Sequence, residues 1–331
     1  MATRPADPET ANGGDAVWRE RLFETLQRRG AVVVLLIVIA ASALTFDNFF
    51  TAQNLQNIVL QGAFLGLIAV GMTFVIISGG IDLSVGSMLA LGGVLAAQIV
   101  QVSWPLALVL PLLVCGLFGL GQGLLIARAK MAPFIVTLAG LLGIRGLALA
   151  LAGERPIGIS GESPFAWFGQ GQVFGLAVPI VFMVVAFVVG GLVLVRTSYG
   201  QIIFAIGGSE ESARLMGLPV DRTKVIAYTV SGTLAGLSGA LLAARLSAGD
   251  PNAGLAWELD AISAVVVGGT LLTGGAGSIS GTFAGVLLLS ILQNLINQVG
   301  TLGSYTQQLL SGFFLIVVVL AQAFLTRKRI Y

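Results

Sequence analysis

Residues 71–97 read GMTFVIISGGIDLSVGSMLALGGVLAA, an apolar run of membrane-spanning length with a carboxylate, Asp82, near its centre. An Asp at mid-bilayer costs about 2.5–3.5 kcal/mol on insertion scales, so such a residue faces protein, water or a pathway rather than lipid. Gly79 and Gly80 stand just before it, and Ser84 and Ser87 follow. Two helical pieces meeting at the glycine pair leave backbone N–H and C=O groups without helical partners. A bilayer tolerates that only where the backbone is buried in protein or lines a cavity. A tight turn at the membrane face fits the same residues.

Composition extends the membrane reading to the whole chain. Of its 331 residues 56% are hydrophobic and only 10% charged, against about 25% charged in a soluble domain. The expected fold class is all-α, a polytopic membrane protein. Its 45 glycines and 10 prolines read as packing, because glycine lets membrane helices approach closely. Histidine is absent, which removes the commonest metal ligand and proton shuttle. A single cysteine, Cys115, excludes an intrachain disulfide and a Cys-based zinc site. No metal site is expected.

At about 20 residues per crossing the sequence accommodates ten spans: 31–50, 58–78, 84–100, 105–127, 133–152, 174–195, 225–246, 261–273, 279–296 and 305–325. The third, eighth and ninth are short or glycine-broken. Residues 1–30 form an N-terminal tail, polar and disordered to residue 15. Trp18, Leu22, Phe23 and Leu26 then recur at helical spacing among charges, which predicts a short helix on the membrane surface. Residues 31–43 look like a signal-peptide core, but the leader is long and partly acidic and the apolar stretch continues, so the first span is read as uncleaved. The transmembrane domain is 31–326, with a cytoplasmic loop at 196–224 and a cytoplasmic tail at 327–331. With the N-terminus inside, 14 of the 17 Lys and Arg fall on cytoplasmic segments. An even span count with both termini cytoplasmic follows from the positive-inside rule. Spans two to five then run opposite to spans seven to ten, as an inverted repeat requires. The likeness of GMTFVIISGG to GGTLLTGG links segments of the same direction and reads as glycine bias.

Four stretches carry candidate chemistry. At the first break, Asp82, Ser84 and Ser87 offer groups for a polar solute; alternatively Asp82 caps the helix beginning at Leu83 or Ser84. In the loop 196–224, Ser209 is an N-cap, Glu210 and Glu211 open a helical turn, and Ala213, Arg214, Leu215 and Met216 lead to Gly217 as C-cap, with Pro219 beyond. A capped helix presenting Leu and Met on a cytoplasmic face reads as a docking element, against the alternative of an ordinary surface helix. Further on, Glu258 and Asp260 stand at the outer end of the eighth span as a contact for an external protein or solute. Gly268, Gly269, Gly274 and Gly275 form a second interruption. Last, Gln293, Asn294 and Asn297 are polar residues in an apolar helix, suited to interhelical hydrogen bonds or to lining a pathway. No glycine run ends in the GK[ST] of a nucleotide-binding loop, no catalytic residues are assigned, and nothing indicates nucleic acid.

Four segments together resemble the permease subunits of ribose-type ABC sugar importers: GMTFVIISGGIDLSVGS (71–87), PFIVTLAGLLGIRG (133–146), YGQIIFAIGGSEESARLMGL (199–218) and ELDAISAVVVGGTLLTGGAGSISGT (258–282). GIDLSVGS is the most specific, and the likeness covers nearly the whole chain after about residue 36. The resemblance implies a bacterial inner-membrane subunit that binds no cofactor itself, with ATP and Mg held by a cytoplasmic ABC ATPase. It also implies a periplasmic or lipid-anchored sugar-binding protein and a second permease, either a copy or a homologue. The segment 210–217 matches the part that couples to the ATPase. Within the family, GAFLGLIAVGMTFVIISGGIDLSVGS and VVVGGTLLTGG look more like galactofuranose-type permeases than ribose permeases. The implied cargo is a monosaccharide such as ribose, galactofuranose or xylose. Two alternatives stand beside it: a branched-chain amino-acid-type ABC permease, and an ion-coupled secondary transporter with only Asp82 and Arg145 as mid-membrane ionisable groups.

Overall fold

The computed structural model describes residues 35–40, 42–46, 48–299, 309, 312 and 313. The surface helix expected around Trp18, nearly all of the tenth span and the C-terminal tail lie outside those residues. The chain runs through α1 (Leu35–Thr45), α2 (Ala52–Ile77), α3 (Val85–Ile99), α4 (Trp104–Ala127) and α5 (Pro133–Ala152). An irregular stretch follows, with β1 (Ile157–Gly158), α6 (Trp167–Gln170) and the two strands of a small hairpin, β2 (Gln172–Val173) and β3 (Leu176–Ala177). Then come α7 (Val178–Arg196), α8 (Ser198–Gly208), α9 (Glu210–Leu215), α10 (Val220–Leu246), β4 (Ala248–Gly249), α11 (Trp257–Val267) and α12 (Ile279–Val299).

Among the described residues the fold is nearly all helical, and six helices are long and apolar enough to cross a membrane: α2, α4, α5, α7, α10 and α12. Nine of the ten expected spans fall on described helices, the first of them described only in part as α1, but α3 and α11 are too short to count as crossings by themselves. The expected third span shrinks to the 15 residues of α3, and the eighth shifts back to the 11 residues of α11. The reason is local. Both helices begin at irregular backbone inside the bundle, so neither has to cover the bilayer's thickness alone.

Two helices form the centre. From Gly62 to its end α2 is buried on every side, and α10 packs against α4, α3 and α2. The sequence of α10 explains how three helices crowd one: its core face is Ser231, Gly232, Ala235, Gly236, Ser238, Gly239, Ala240 and Ala243. Without hydrophobic drive between helices in lipid, small residues let backbones touch and dispersion accumulate. A Cβ on Gly236 would meet Pro111 O of α4 at 2.5 Å, and one on Gly239 would meet the Gly93 nitrogen of α3 at 2.9 Å. By contrast α5 and α7 expose Leu138, Leu142, Val184, Val188 and Leu192, an apolar periphery suited to lipid or to another chain.

At one end of the bundle β1 pairs antiparallel with β4, tying the stretch after α5 to the end of α10. The opposite end carries Arg128, Lys130, Arg196 and the α8–α10 connection.

Packing at the small-residue seam sets the first expectation. Gly239→Ala places a methyl against the α3 backbone and should destabilise by about 2 kcal/mol or more. Gly143→Ala on α5, where no atom lies within 4 Å, should be neutral or slightly stabilising, since alanine is the better helix former. Thermal unfolding of the two purified variants in detergent reads the difference.

Candidate functional site

Asp82 lies between α2 and α3 with no exposed surface. Its Oδ1 accepts from the Ser84 backbone N–H at 3.0 Å and from Ser84 Oγ at 2.6 Å, and its Oδ2 accepts from Ser231 Oγ of α10 at 2.8 Å. Asp82 is therefore not the N-cap itself. Ser84 occupies that position and α3 begins at Val85, while Asp82 fixes the capping residue through an Asx-type turn. Ser84 Oγ also lies 3.1 Å from the Gln122 amide oxygen of α4, and the Gln122 nitrogen is buried without a partner. A hydroxyl has one proton, and Asp82 takes it. Turning the amide so that its nitrogen donates to Ser84 gives that nitrogen an acceptor and leaves the Ser84 proton to Asp82.

The backbone of the break is held as well. Tyr228 of α10 donates to Ile81 O at 3.4 Å, Thr137 of α5, whose hydroxyl lies 2.9 Å from Pro133 O, shares its proton with the same oxygen at 3.3 Å, and Ser87 donates to Leu141 O of α5 at 2.8 Å. Four helices thus converge on residues 81–87. Asp82, Ser84 and Ser87 all have zero exposure, so in this conformation they hold structure and contact no solvent.

The predicted glycines divide into two groups. Gly79 (φ +80°) and Gly274 (φ +85°) take left-handed conformations, and a Cβ on Gly274 would meet the Gly79 backbone at 2.9 Å. Gly275 donates to Ile77 O at 3.0 Å, and Gly207 at the end of α8 packs against both. The breaks after α2 and after α11 therefore meet each other and the end of α8. Elsewhere, Gly80 makes room for the Tyr228 hydroxyl, Gly268 packs on the backbone of Gly281, and Gly269 turns at φ +91°.

The short helix expected in the loop 196–224 is present as α9, with Ser209 as N-cap accepting from Ser212 N at 3.2 Å. It ends at Leu215. Met216 is the cap residue and Gly217 (φ +74°) follows in the left-handed position, with Leu218 N bonded to Ala213 O at 3.1 Å, a glycine-terminated cap. Ala213 is buried against Ile202, Ile206, Leu218 and Val220. Leu215 is 84% and Met216 66% exposed. Glu210 bonds Lys224 and, at 3.0 Å, Arg214, which also meets Asp221 at 2.5 Å. Partial burial raises the Glu210 carboxyl, but the hydrogen bonds and charges of Lys224 and Arg214 outweigh that and hold it below the usual carboxylate range. Stability from a depressed carboxyl is present above its unfolded value and lost as pH falls through the folded one. The clamp is therefore complete at neutral pH. Glu211 carries no bond to the clamp.

Glu258 and Asp260 stand in the first turn of α11, half-buried rather than free at the surface. Asn294 donates to Asn54 of α2 at 2.9 Å and Gln298 donates to Asn294 at 2.7 Å, an interhelical network. Asn297 is exposed and Gln293 half-buried. Sequence reading missed Ser231, Gln122, Thr137 and Tyr228, the partners of the break. Each sits singly in an apolar span, and only the three-dimensional meeting of spans reveals its role.

Residues 54–320 match the family described as "Branched-chain amino acid transport system / permease component". The chain is 41% identical over 303 residues to the ribose import permease protein RbsC of Haemophilus influenzae, covering 90% of this chain and 94% of that one. The ribose import permease protein RbsC of Bacillus subtilis is 42% identical over 298 residues, covering 89% and 92%. An L-arabinose ABC transporter permease protein, AraH, of Azospirillum brasilense is 37% identical over 324 residues, covering 97% and 93%. No solved structure matches.

Replacing Asp82 tests whether the break is held or merely lined. Asp82→Ala strands Ser84 and Ser231 and should cost about 2–4 kcal/mol, with Ser231→Ala costing about 1–2 kcal/mol. Thermal unfolding of purified protein measures both. An Asp82→Ala protein as stable as the parent but inactive in transport would move Asp82 from the scaffold to the solute path.

Proposed function

The chain belongs to the ABC importer permeases, and from that premise we propose that it forms, with a second permease, the route by which a monosaccharide crosses the bacterial inner membrane. It is a transport subunit and not an enzyme, in a multi-pass inner-membrane protein whose importer includes an ATPase and a binding protein. The cargo reading rests on relatives named for ribose and L-arabinose that match along nearly the whole chain. ATP and Mg belong to the ATPase partner, and this chain binds neither. The binding protein meets the face that carries residues 153–177 and 249–257.

The observation that carries the mechanism is α9: a short helix clamped by Glu210, Arg214, Asp221 and Lys224, with Leu215 and Met216 turned outward. A connector has no need of exposed apolar side chains on a charge-fixed base. We assign α9, with Glu211 at its edge, to the ATPase contact. Closure of the ATPases on ATP moves α9, and the bundle alternates between outward and inward openings by a two-state rearrangement. The glycine turns at 79–80, 268–269 and 274–275 are the points where backbone can hinge. Asp82, Ser84, Ser87, Asn294 and Asn297 flank the route, with Glu258 and Asp260 at its outer side. Ten crossings with both termini cytoplasmic are the topology proposed, supported by the placement of Lys and Arg. The tail 1–30 and residues 327–331 then lie in the cytoplasm. The second permease is either another copy or a homologue.

Two measurements check this. Proteoliposomes holding the permease, its ATPase and its binding protein should take up one sugar from a panel of ribose, arabinose, xylose and galactofuranose only with ATP; uptake by the permease alone on an ion gradient would replace the reading with a secondary carrier. Leu215→Asp and Met216→Asp should abolish co-purification of the ATPase while leaving the permease inserted. Normal co-purification with both variants would remove α9 from the interface.

A further inference from the structure

A second polar cluster lies beside the Asp82 break, toward the opposite end of the bundle. Arg145 of α5 donates from Nη1 to Pro251 O at 2.7 Å and to Ala253 O at 2.8 Å. Asp250 and Glu258 lie within electrostatic range of its guanidinium, though neither forms an ion pair with it among the described residues. One turn earlier on α5, Leu141 O takes the proton of Ser87, so the same helix fastens the break and then the loop between β4 and α11.

That loop is partly buried: Pro251 and Gly254 are enclosed, while Asn252 and Leu255 stay exposed. A Cβ on Gly254 would meet Gly86 O at 2.9 Å and Leu89 at 3.0 Å, and Gly86 itself abuts the Gly254 carbonyl and the Glu258 carboxylate. Residues 250–256 are therefore folded onto the first turn of α3, two residues beyond Ser84. The local sequence does not favour this shape. Ser247 (φ +53°) and Ala256 (φ +65°) are held in left-handed conformations, which cost about 1–2 kcal/mol each for residues with a Cβ. Contacts must supply the difference, and the two carbonyl bonds to a charged donor are the strongest on the loop.

We propose that Arg145 is the latch of an outer gate: it holds residues 250–256 down over the Asp82 break, and its release opens the route to the binding protein's side. The proposal rests on the importer reading and adds to it the positioning residue that keeps the route shut. The lining suits the cargo. When the loop lifts, Arg145 is left as a donor while Asp250 and Glu258 are acceptors, a set that the hydroxyls of a neutral polyol satisfy without any net change of charge.

The test is accessibility within the assembled importer. In a Cys115→Ala background, Ala253→Cys is reconstituted with ATPase and binding protein, and its labelling by a membrane-impermeant maleimide is timed. Arg145→Met should raise the rate about tenfold or more, while Arg145→Lys, which keeps the charge and one carbonyl bond, should stay within about threefold of the parent. Ala240→Cys, at a fully buried position of α10, should remain unlabelled throughout. An unchanged rate at residue 253 in Arg145→Met overturns the latch, as does parallel labelling at residue 240, which would mean general loosening. Failure of the importer reading shows separately, as absent ATP-dependent uptake with Arg145 intact.

Discussion

Every polar group buried in a membrane bundle must find its partner inside the protein, because lipid offers none. Asp82 is where that constraint binds hardest. Its two oxygens collect the Ser84 N–H, the Ser84 hydroxyl and the Ser231 hydroxyl, so the carboxylate is satisfied only if α3 and α10 stand in one register. Gln122, Thr137 and Tyr228 then fix α4, α5 and α10 around the same turn. The requirement of one acidic side chain thus sets how four helices meet, and it explains why the interruption occurs in the bundle's interior rather than at an exposed loop.

The same helix, α10, joins α9 to the Asp82 break. Its first turns carry Asp221 and Lys224, which clamp α9, and two turns on it carries Tyr228 and Ser231 to the break. The joints differ in chemistry because their surroundings differ. At the water-exposed end, full charges can be used, since their desolvation is small and the pairs are weak individually. Inside the bundle, hydroxyls and amides hold a single carboxylate, which avoids burying a second ion. Under the proposed mechanism, a helix between a charged joint and a neutral one is what would carry displacement from α9 to the break.

Much of this was legible in the sequence. The α9 helix was readable because caps and charges are local signals: Ser209, Gly217 and Pro219 act within a few residues of where they stand. Asp82 was readable because a carboxylate is conspicuous in an apolar run, although its capping role falls through Ser84 rather than at the position expected. The full lengths of the third and eighth spans were not, since hydropathy reports what a segment is made of and not where in the bilayer it starts. The loop 250–256 was illegible for a related reason. Its shape depends on Arg145, more than a hundred residues away, and on glycines that only a neighbouring backbone makes necessary.

The likeness between GMTFVIISGG and GGTLLTGG is instructive in this light. As sequence it is indistinguishable from the glycine bias of membrane helices. In the structure, the turns that close these two segments sit against each other, with Gly274 on the backbone of Gly79 and Gly275 bonded to Ile77 O. Each turn needs a left-handed glycine to reverse the chain and, at the same points, the absence of a Cβ so that the other can approach. Two segments under the same pair of demands converge on the same residues. The junction they form also receives Gly207, the residue two before the cap of α9, so the segment leading into α9 reaches both breaks by backbone contact as well as through α10. Under the ATPase contact proposed for α9, its displacement acts on a point where three reversals of the chain already touch.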